Sequence, residues 1–342
     1  MIETDALIIG AGPAGLFQAF QLGLQEAHSH IVDVLPYVGG QCAALYADKP
    51  IYDIPGVPVC TGRELVASLQ RQVAPFAPVF HLGQEIATLA TEADGRLRLT
   101  TSAGTAFLTR TVFIAAGIGA FQPRRLRIPG IETFEGGQLH YHLPDDAPVT
   151  GLHLAIAGGG EEAVASALHF AQAEPPPASI TLVHRRDGFE ADAAQLAALQ
   201  QLRDAGRVQV AIGQPTGFEL AGDGRLAQLV LSHAEGADTR LALDLLLVRQ
   251  GLSPRLGAIA DWGLALERKQ LVVDPATCAT AMPGIYAVGD INHYPGKKKL
   301  ILCAFHEATL AAYDAAERLQ AGRKVVVEYT TTSTRLHRLL GV

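Results

Sequence analysis

The stretch Ala6-Leu7-Ile8-Ile9-Gly10-Ala11-Gly12-Pro13-Ala14-Gly15-Leu16-Phe17 decides how this chain folds. An apolar run comes first and a helical pattern opens at Leu16-Phe17, so Gly10, Gly12 and Gly15 sit in the strand–turn–helix context of a dinucleotide fingerprint. Glycines there permit a tight turn and let backbone amides approach a pyrophosphate at the helix N-terminus. The next apolar run, Ile31-Val32, ends at Asp33, where a carboxylate can accept hydrogen bonds from a ribose. A second copy lies near mid-chain, where Leu154-Ala155-Ile156-Ala157 leads into Gly158-Gly159-Gly160-Glu161-Glu162-Ala163. One GxGxxG is weak evidence, but two, each between a strand and a helix, predict a chain that holds two nucleotides.

Length and composition agree with two α/β domains. The chain has 342 residues, 49% of them hydrophobic and 18% charged, which is long for one core and comfortable for two. No apolar stretch reaches the roughly 18–20 residues that span a bilayer, and the acidic N-terminus Met1-Ile2-Glu3-Thr4-Asp5 leads straight into the first strand. These features predict a cytoplasmic protein with neither signal peptide nor membrane partner. The four cysteines, Cys42, Cys60, Cys278 and Cys303, form no CxxC, and the twelve histidines show no HExxH, so neither a structural disulfide nor a metal site is expected. A net charge of −7 argues against nucleic acid as a general partner.

Strands and helices alternate from residue 4 to about 36. Thr61-Gly62-Arg63-Glu64 has capping-box spacing before the amphipathic run Leu65 to Val73. Alternating segments from Val79 to Thr111 suggest an antiparallel meander, and Thr111 to Gly117 a buried strand ending in small residues. A linker begins at Gln122-Pro123, and the second fingerprint opens an α/β unit running to about Leu247. The strand signal Gly284 to Val288 ends at Gly289-Asp290, and a helix after His306 precedes a polar, basic tail.

Motifs along nearly the whole chain resemble the two-dinucleotide-binding-domain flavoproteins. They are most similar to ferredoxin–NADP reductases of the bacterial, thioredoxin-reductase-like type. The residues that carry the likeness include Gly39-Gly40-Gln41, Ile51-Tyr52-Asp53-Ile54-Pro55-Gly56, Ala115-Ala116-Gly117, His184-Arg185-Arg186-Asp187, Ala287-Val288-Gly289-Asp290-Ile291 and the tail from Tyr329 to Val342. Where thioredoxin reductases carry a redox CxxC, this chain has Leu139-His140-Tyr141-His142. The resemblance implies two Rossmann-like three-layer (ββα/βαβ) domains, the second inserted into the first: an FAD-binding domain over 1–118 and 252–342, and an NAD(P)H-binding domain over 119–251.

The resemblance also assigns roles. Asp33 would hold the adenosine ribose of FAD, Gln41 and Tyr46 would lie along the flavin, Ile86 and Phe121 would flank it, and Asp290 would bond the ribityl chain. Thr331 would reach the flavin of a second subunit or close over it, with Tyr329 as a stacking lid, in a homodimer. Gly158, Gly160, Arg185 and Arg186 would bind NADPH, the arginine pair engaging its 2′-phosphate. Hydride would pass from nicotinamide to flavin N5 and electrons would leave singly to ferredoxin or flavodoxin, with no side chain required as acid or base. Lys297-Lys298-Lys299 would be a solvated loop or, with Arg124, Arg125 and Arg127, a positive surface that steers an acidic carrier.

Two acids depart from the family pattern. Glu190 stands where a further arginine is usual, Glu162 stands where a small hydroxyl is usual, and Arg249-Gln250 replaces apolar residues. An acid in the first turn of a helix competes with a pyrophosphate for the same positive dipole end. Three readings therefore stay open: an NADPH-fed reductase, a divergent paralogue served by NADH or a protein donor, and a non-catalytic FAD-binding, redox-responsive module.

Overall fold

The computed structural model describes residues 1–144, 147–233, 236–321 and 323–342, with the side chains at 120–122 and 252–254 left out of the description. The chain divides into two units, residues 1–120 with 254–342 and residues 121–253.

The first unit is built on a parallel layer in the order Val79–Leu82, Ser29–Asp33, Ile2–Ile9, Ala106–Ile114, Ile285–Ala287. Successive side chains of Ile2–Ile9 point to opposite faces: Ile8 joins Leu16, Ala19 and Phe113 on the helical side, while Leu7 and Ile9 join Leu99, Phe107 and Ile114 on the other. On the helical side the long helix Ile301–Leu319 packs on the fingerprint helix Pro13–Leu24. Both helices carry small buried residues, Gly15 and Ala19 on one and Ala304, Ala308, Ala311 and Ala315 on the other, which let packed backbones approach closely. The helix Gly62–Val73 begins with the expected capping box at Thr61 and Glu64.

Three elements differ from the sequence expectation. Only Ile86–Thr91, Leu97–Thr101 and Ala106–Ile114 form the antiparallel meander, whereas Val79–Leu82 runs parallel to Ser29–Asp33. A four-residue alternating strand carries no signal of its pairing direction, which here comes from the crossover helix Gly62–Val73. The long helix starts at Ile301, ahead of His306, and the tail holds a further helix, Thr334–Leu340, capped by Ser333.

The second unit carries an all-parallel sheet in the order Leu139–His140, Leu245–Val248, His153–Ala157, Ser179–His184, Gln209–Ile212. Its helices are Glu161–Ala171 and Ala193–Asp204, and Gln214–Leu220, Leu226–Ser232 and Thr239–Ala242 form an antiparallel ribbon. In both sheets the strand order reverses beside the fingerprint strand. That reversal opens a crevice at the carboxyl ends of the strands, the place where open α/β sheets take ligands. No described helix is long and apolar enough to cross a membrane.

Candidate functional site

Both crevices are floored by the same turn. Gly10 N–H donates to Val32 O at 2.8 Å and Gly158 N–H to Val183 O at 3.0 Å. Ala115 N–H reaches Ile9 O at 2.8 Å and Arg249 N–H reaches Ala157 O at 2.7 Å, tying each turn to the strand across the switch point. A Cβ at Gly10 (φ +113°) would stand 2.4 Å from Ala115 O, one at Gly15 would stand 1.8 Å from Gly10 O, and one at Gly158 would stand 2.0 Å from Arg249 O. Such distances admit only glycine. Gly12 and Gly160 occupy the N-cap positions of the two helices, and no side chain caps either helix. Their first-turn amides therefore face the crevice, ready for an anion.

At the first turn, Asp33 is buried with both oxygens engaged: Ala11 N–H donates to Oδ2 at 2.6 Å and Leu35 N–H to Oδ1 at 2.8 Å. Burial pushes its carboxyl above the usual aspartate range, and the two amide bonds pull it back. The structure brings several expected flavin contacts to this crevice. Gln41 lies over Gly117, its Nε2 within 2.9 Å of where a Cβ would be. Tyr46 OH meets Cys42 Sγ at 3.6 Å, and both groups feel the charge of Asp290. Burial raises the phenol and the thiol, so both stay protonated at neutral pH. Gly289, beside Asp290, packs on the fingerprint turn: its Cβ would stand 3.2 Å from Ala14 Cβ and 3.7 Å from Ala304 Cβ. Ile86 is buried in the core, and the segment leading to it passes Asp33, with Gln84 N–H on Asp33 O at 3.0 Å. The side chain of Phe121 lies outside the described residues.

Sequence reasoning missed the residue beneath Asp290. Glu307, in the long helix, is 1% exposed and accepts four hydrogen bonds from one loop: Gly289 N–H at 2.7 Å, Asn292 Nδ2 at 2.9 Å, Tyr294 OH at 2.8 Å, and Lys297 Nζ. Lys297 is thus buried in an ion pair, and the expected lysine patch reduces to Lys298 and Lys299, while Arg125 pairs with Glu135. The only sequence signal was a glutamate on an otherwise alanine-lined helix face, which the apolar periodicity would not have placed.

At the second turn, His184 takes the place that Asp33 holds at the first. Its imidazole lies over Gly159, where a Cβ would approach to 2.4 Å, and its Nδ1 is 3.1 Å from Arg186 O and 3.0 Å from Gly188 O. Arg185 and Arg186 follow, both exposed. Glu190 closes on the turn twice: its N–H donates to Gly159 O at 2.8 Å, and its carboxylate accepts from Arg186 Nη2 at 3.2 Å. Glu161 and Glu162 are exposed in the first turn of the uncapped helix. Arg249, unexpected among apolar strand residues, ties the floor of the crevice, donating to Ser166 Oγ at 3.3 Å and Tyr141 O at 3.1 Å.

The tail is anchored away from the first turn. Arg335 binds Leu24 O at 3.3 Å and Glu26 Oε1 at 2.8 Å, at the C-terminal end of the fingerprint helix, about 18 Å along its axis from Gly12. Tyr329 is 72% exposed and Thr331 is exposed.

Comparison with known proteins agrees with this geometry. The family described as pyridine nucleotide-disulphide oxidoreductase matches residues 4–327. Proteins named ferredoxin–NADP reductase from Acidovorax sp. (strain JS42) and Paracidovorax citrulli (strain AAC00-1) are 62% and 59% identical, covering 99% and 100% of this chain and 96% and 97% of their own. The fold is that of thioredoxin reductase from Lactococcus lactis (TM-score 0.58, 24% identity, covering 93% of this chain and 99% of that one). It is shared by bacillithiol disulfide reductase from Staphylococcus aureus (TM-score 0.63, 14% identity, covering 93% and 99%). The resemblance read from the motifs therefore holds along the chain, an oxidoreductase that belongs to the pyridine nucleotide-disulphide oxidoreductase family.

Proposed function

We propose that this chain is an FAD-dependent ferredoxin–NADP reductase, with FAD in the first unit and NADP(H) in the second, passing electrons between NADPH and a one-electron carrier such as ferredoxin or flavodoxin. The observation that carries the reading is the pair of uncapped glycine turns, each at the switch point of a parallel sheet and each followed by a different recognition group. Beside the first turn stand Asp33 and Asp290, carboxylates suited to ribose and ribityl hydroxyls. Beside the second stand Arg185 and Arg186, suited to a 2′-phosphate. Names at 62% identity over nearly the full length support the same assignment.

FAD, when bound, supplies the exchange between a two-electron nicotinamide and a one-electron carrier. The chain's own residues bind and orient. The amides at the start of Pro13–Leu24 and Glu161–Ala171 would take the two pyrophosphates, Gln41 and Tyr46 would line the flavin, and Ile86 and Phe121 would border it. The tail, with Tyr329 and Thr331 exposed and Arg335 anchored at the far end of the first fingerprint helix, supports a homodimer in which it covers the flavin of a second copy. The domain boundaries expected at 118/119 and 251/252 belong to the same proposal.

One observation favours a second reading. The Arg186–Glu190 pair already engages the cation a 2′-phosphate would need, which favours relaxed use of NADH. Anaerobic stopped-flow bleaching of the bound flavin separates the two. Fast reduction by NADPH alone is the expected result, equal rates with both nicotinamides support the second reading, and slow reduction by both overturns the assignment of the second unit.

A further inference from the structure

We propose that Lys297 and Glu307 form a buried positioning pair for the flavin site, fixing the turn that presents Asp290 and cancelling the charge of Glu307 beneath it. The inference rests on the assignment of FAD to the first unit.

The turn Gly289–Ile291 is clamped from two sides. From below, Glu307 takes the N–H of Gly289, the residue next to Asp290, and the amide of Asn292 immediately beyond it. From beside, Gln270 Nε2 donates to Asp290 O at 3.1 Å and to Asn292 O at 2.7 Å. The clamp leaves the Asp290 carboxylate half-buried and directed by a backbone that cannot relax, because Gly289 (φ +80°) is wedged between Ala14 and Ala304.

Such a clamp places an ionised carboxylate in a nearly dry pocket, and a bare charge there is costly. Lys297 meets it: its side chain is 4% exposed, its Nζ bonds Glu307 Oε1, and Tyr294 OH fills the same oxygen. Lys297 thus serves the site through Glu307. Removal of Lys297 alone would leave an uncompensated negative charge beneath the turn that presents Asp290, and would disfavour the more negative, reduced form of a flavin held there. Removal of both charges with a neutral amide would keep an acceptor for Gly289 N–H and restore the balance. This asymmetry between breaking one half of a buried pair and neutralising both is the signature of the device.

The test uses the full-length protein purified with its flavin and three variants: Lys297→Met, Glu307→Leu and the double variant Lys297→Met/Glu307→Gln. Readouts are the FAD dissociation constant, the visible flavin spectrum and the midpoint potential. Expected are a lower potential in Lys297→Met, a potential near native in the double variant, and FAD held at least tenfold more weakly by Glu307→Leu. Equal downward shifts in Lys297→Met and the double variant would overturn the charge-cancelling role. FAD affinity and potential unmoved in all three would overturn the whole inference while leaving the FAD assignment standing. A native protein that takes up no FAD would instead sink the assignment on which it rests. Should Lys297→Met fail to fold, the double variant decides: a native-like potential upholds the pair, and a shifted one overturns it.

Discussion

The two glycine turns are built alike and furnished oppositely. Each hangs between the same backbone partners, Gly10 between Val32 O and Ala115 O, Gly158 between Val183 O and Arg249 O. At the last residue of the second strand, however, one has Asp33, buried and holding two amides, and the other has His184, with two arginines and Glu190 in solvent. The first crevice is organised by hydrogen bonds inside a core, where partners are fixed and salt matters little. The second is organised by exposed charges, where each pair is weak and screened. The same backbone turn thus carries a doubly bonded carboxylate in one unit and an imidazole in the other.

The largest effect that could break this comparison comes from the shared element. Gly10→Ala and Gly158→Ala should each cost about 3 kcal/mol, since a Cβ meets a carbonyl oxygen in both. Gly10→Ala should lose flavin absorbance, whereas Gly158→Ala should keep it and lose nicotinamide binding; a joint loss of both ligands in either variant would break the division of labour.

Asp33→Asn comes next. It leaves one of the two amides facing an NH₂ group, at about 1–3 kcal/mol by urea denaturation. The pH dependence has a definite sign. Burial raises the Asp33 carboxyl in the fold above its ordinary value, so the folded state keeps its proton longer than the unfolded chain. That contribution is fully present below the unfolded value and fades as pH rises through the folded one, so the deficit of Asp33→Asn should narrow as pH rises above the ordinary aspartate value.

A smaller effect belongs to the second turn. Glu190→Gln frees Arg186 from a pair whose partners are 60% and 81% exposed, and NADPH should bind up to about fivefold tighter while NADH is unaffected, the gain shrinking with added salt. An unchanged NADPH affinity would mean that Glu190 is no obstacle.

The smallest effect sharpens the contrast without touching either site. All four cysteines lie in the first unit. Burial pushes the Cys278 thiol up to about 12, so it should label slowly in the native protein. Gly10→Ala should speed that labelling and Gly158→Ala should not.

The sequence made the turns legible because glycine spacing reports a backbone constraint, met at Gly10, Gly15 and Gly158, that no other residue satisfies, and the positions of Asp33, Arg185 and Arg186 beside the turns could be read from their offset from those glycines. Thr61 and Glu64 were likewise legible, because a capping box is a local contract between residues three apart. Glu307 was not. Its meaning depends on a loop that closes over it from residues 289–297, and a carboxylate is read as solvated until a buried cation is found beside it. Lys297 was misplaced for the complementary reason, since a run of three lysines looks exposed by composition alone. Val79–Leu82 failed because pairing direction is a property of the connection rather than of the strand.

The first unit's sheet is finished by Ile285–Ala287, which pairs along Ala106–Ile114, and its fingerprint helix is covered by Ile301–Leu319. As the ribosome delivers the chain, residues 121–253 are complete while this strand and helix are still unmade. At about 5–20 residues per second, the roughly 200 residues between 120 and 319 take some 10–40 seconds to synthesise. Over that interval residues 1–120 present an uncovered apolar sheet face and a helix without its neighbour, the kind of surface on which chaperones act. On the proposed assignment, a flavin site that includes Asp290 is assembled only once Ile285–Ala287 and the turn behind it have been made.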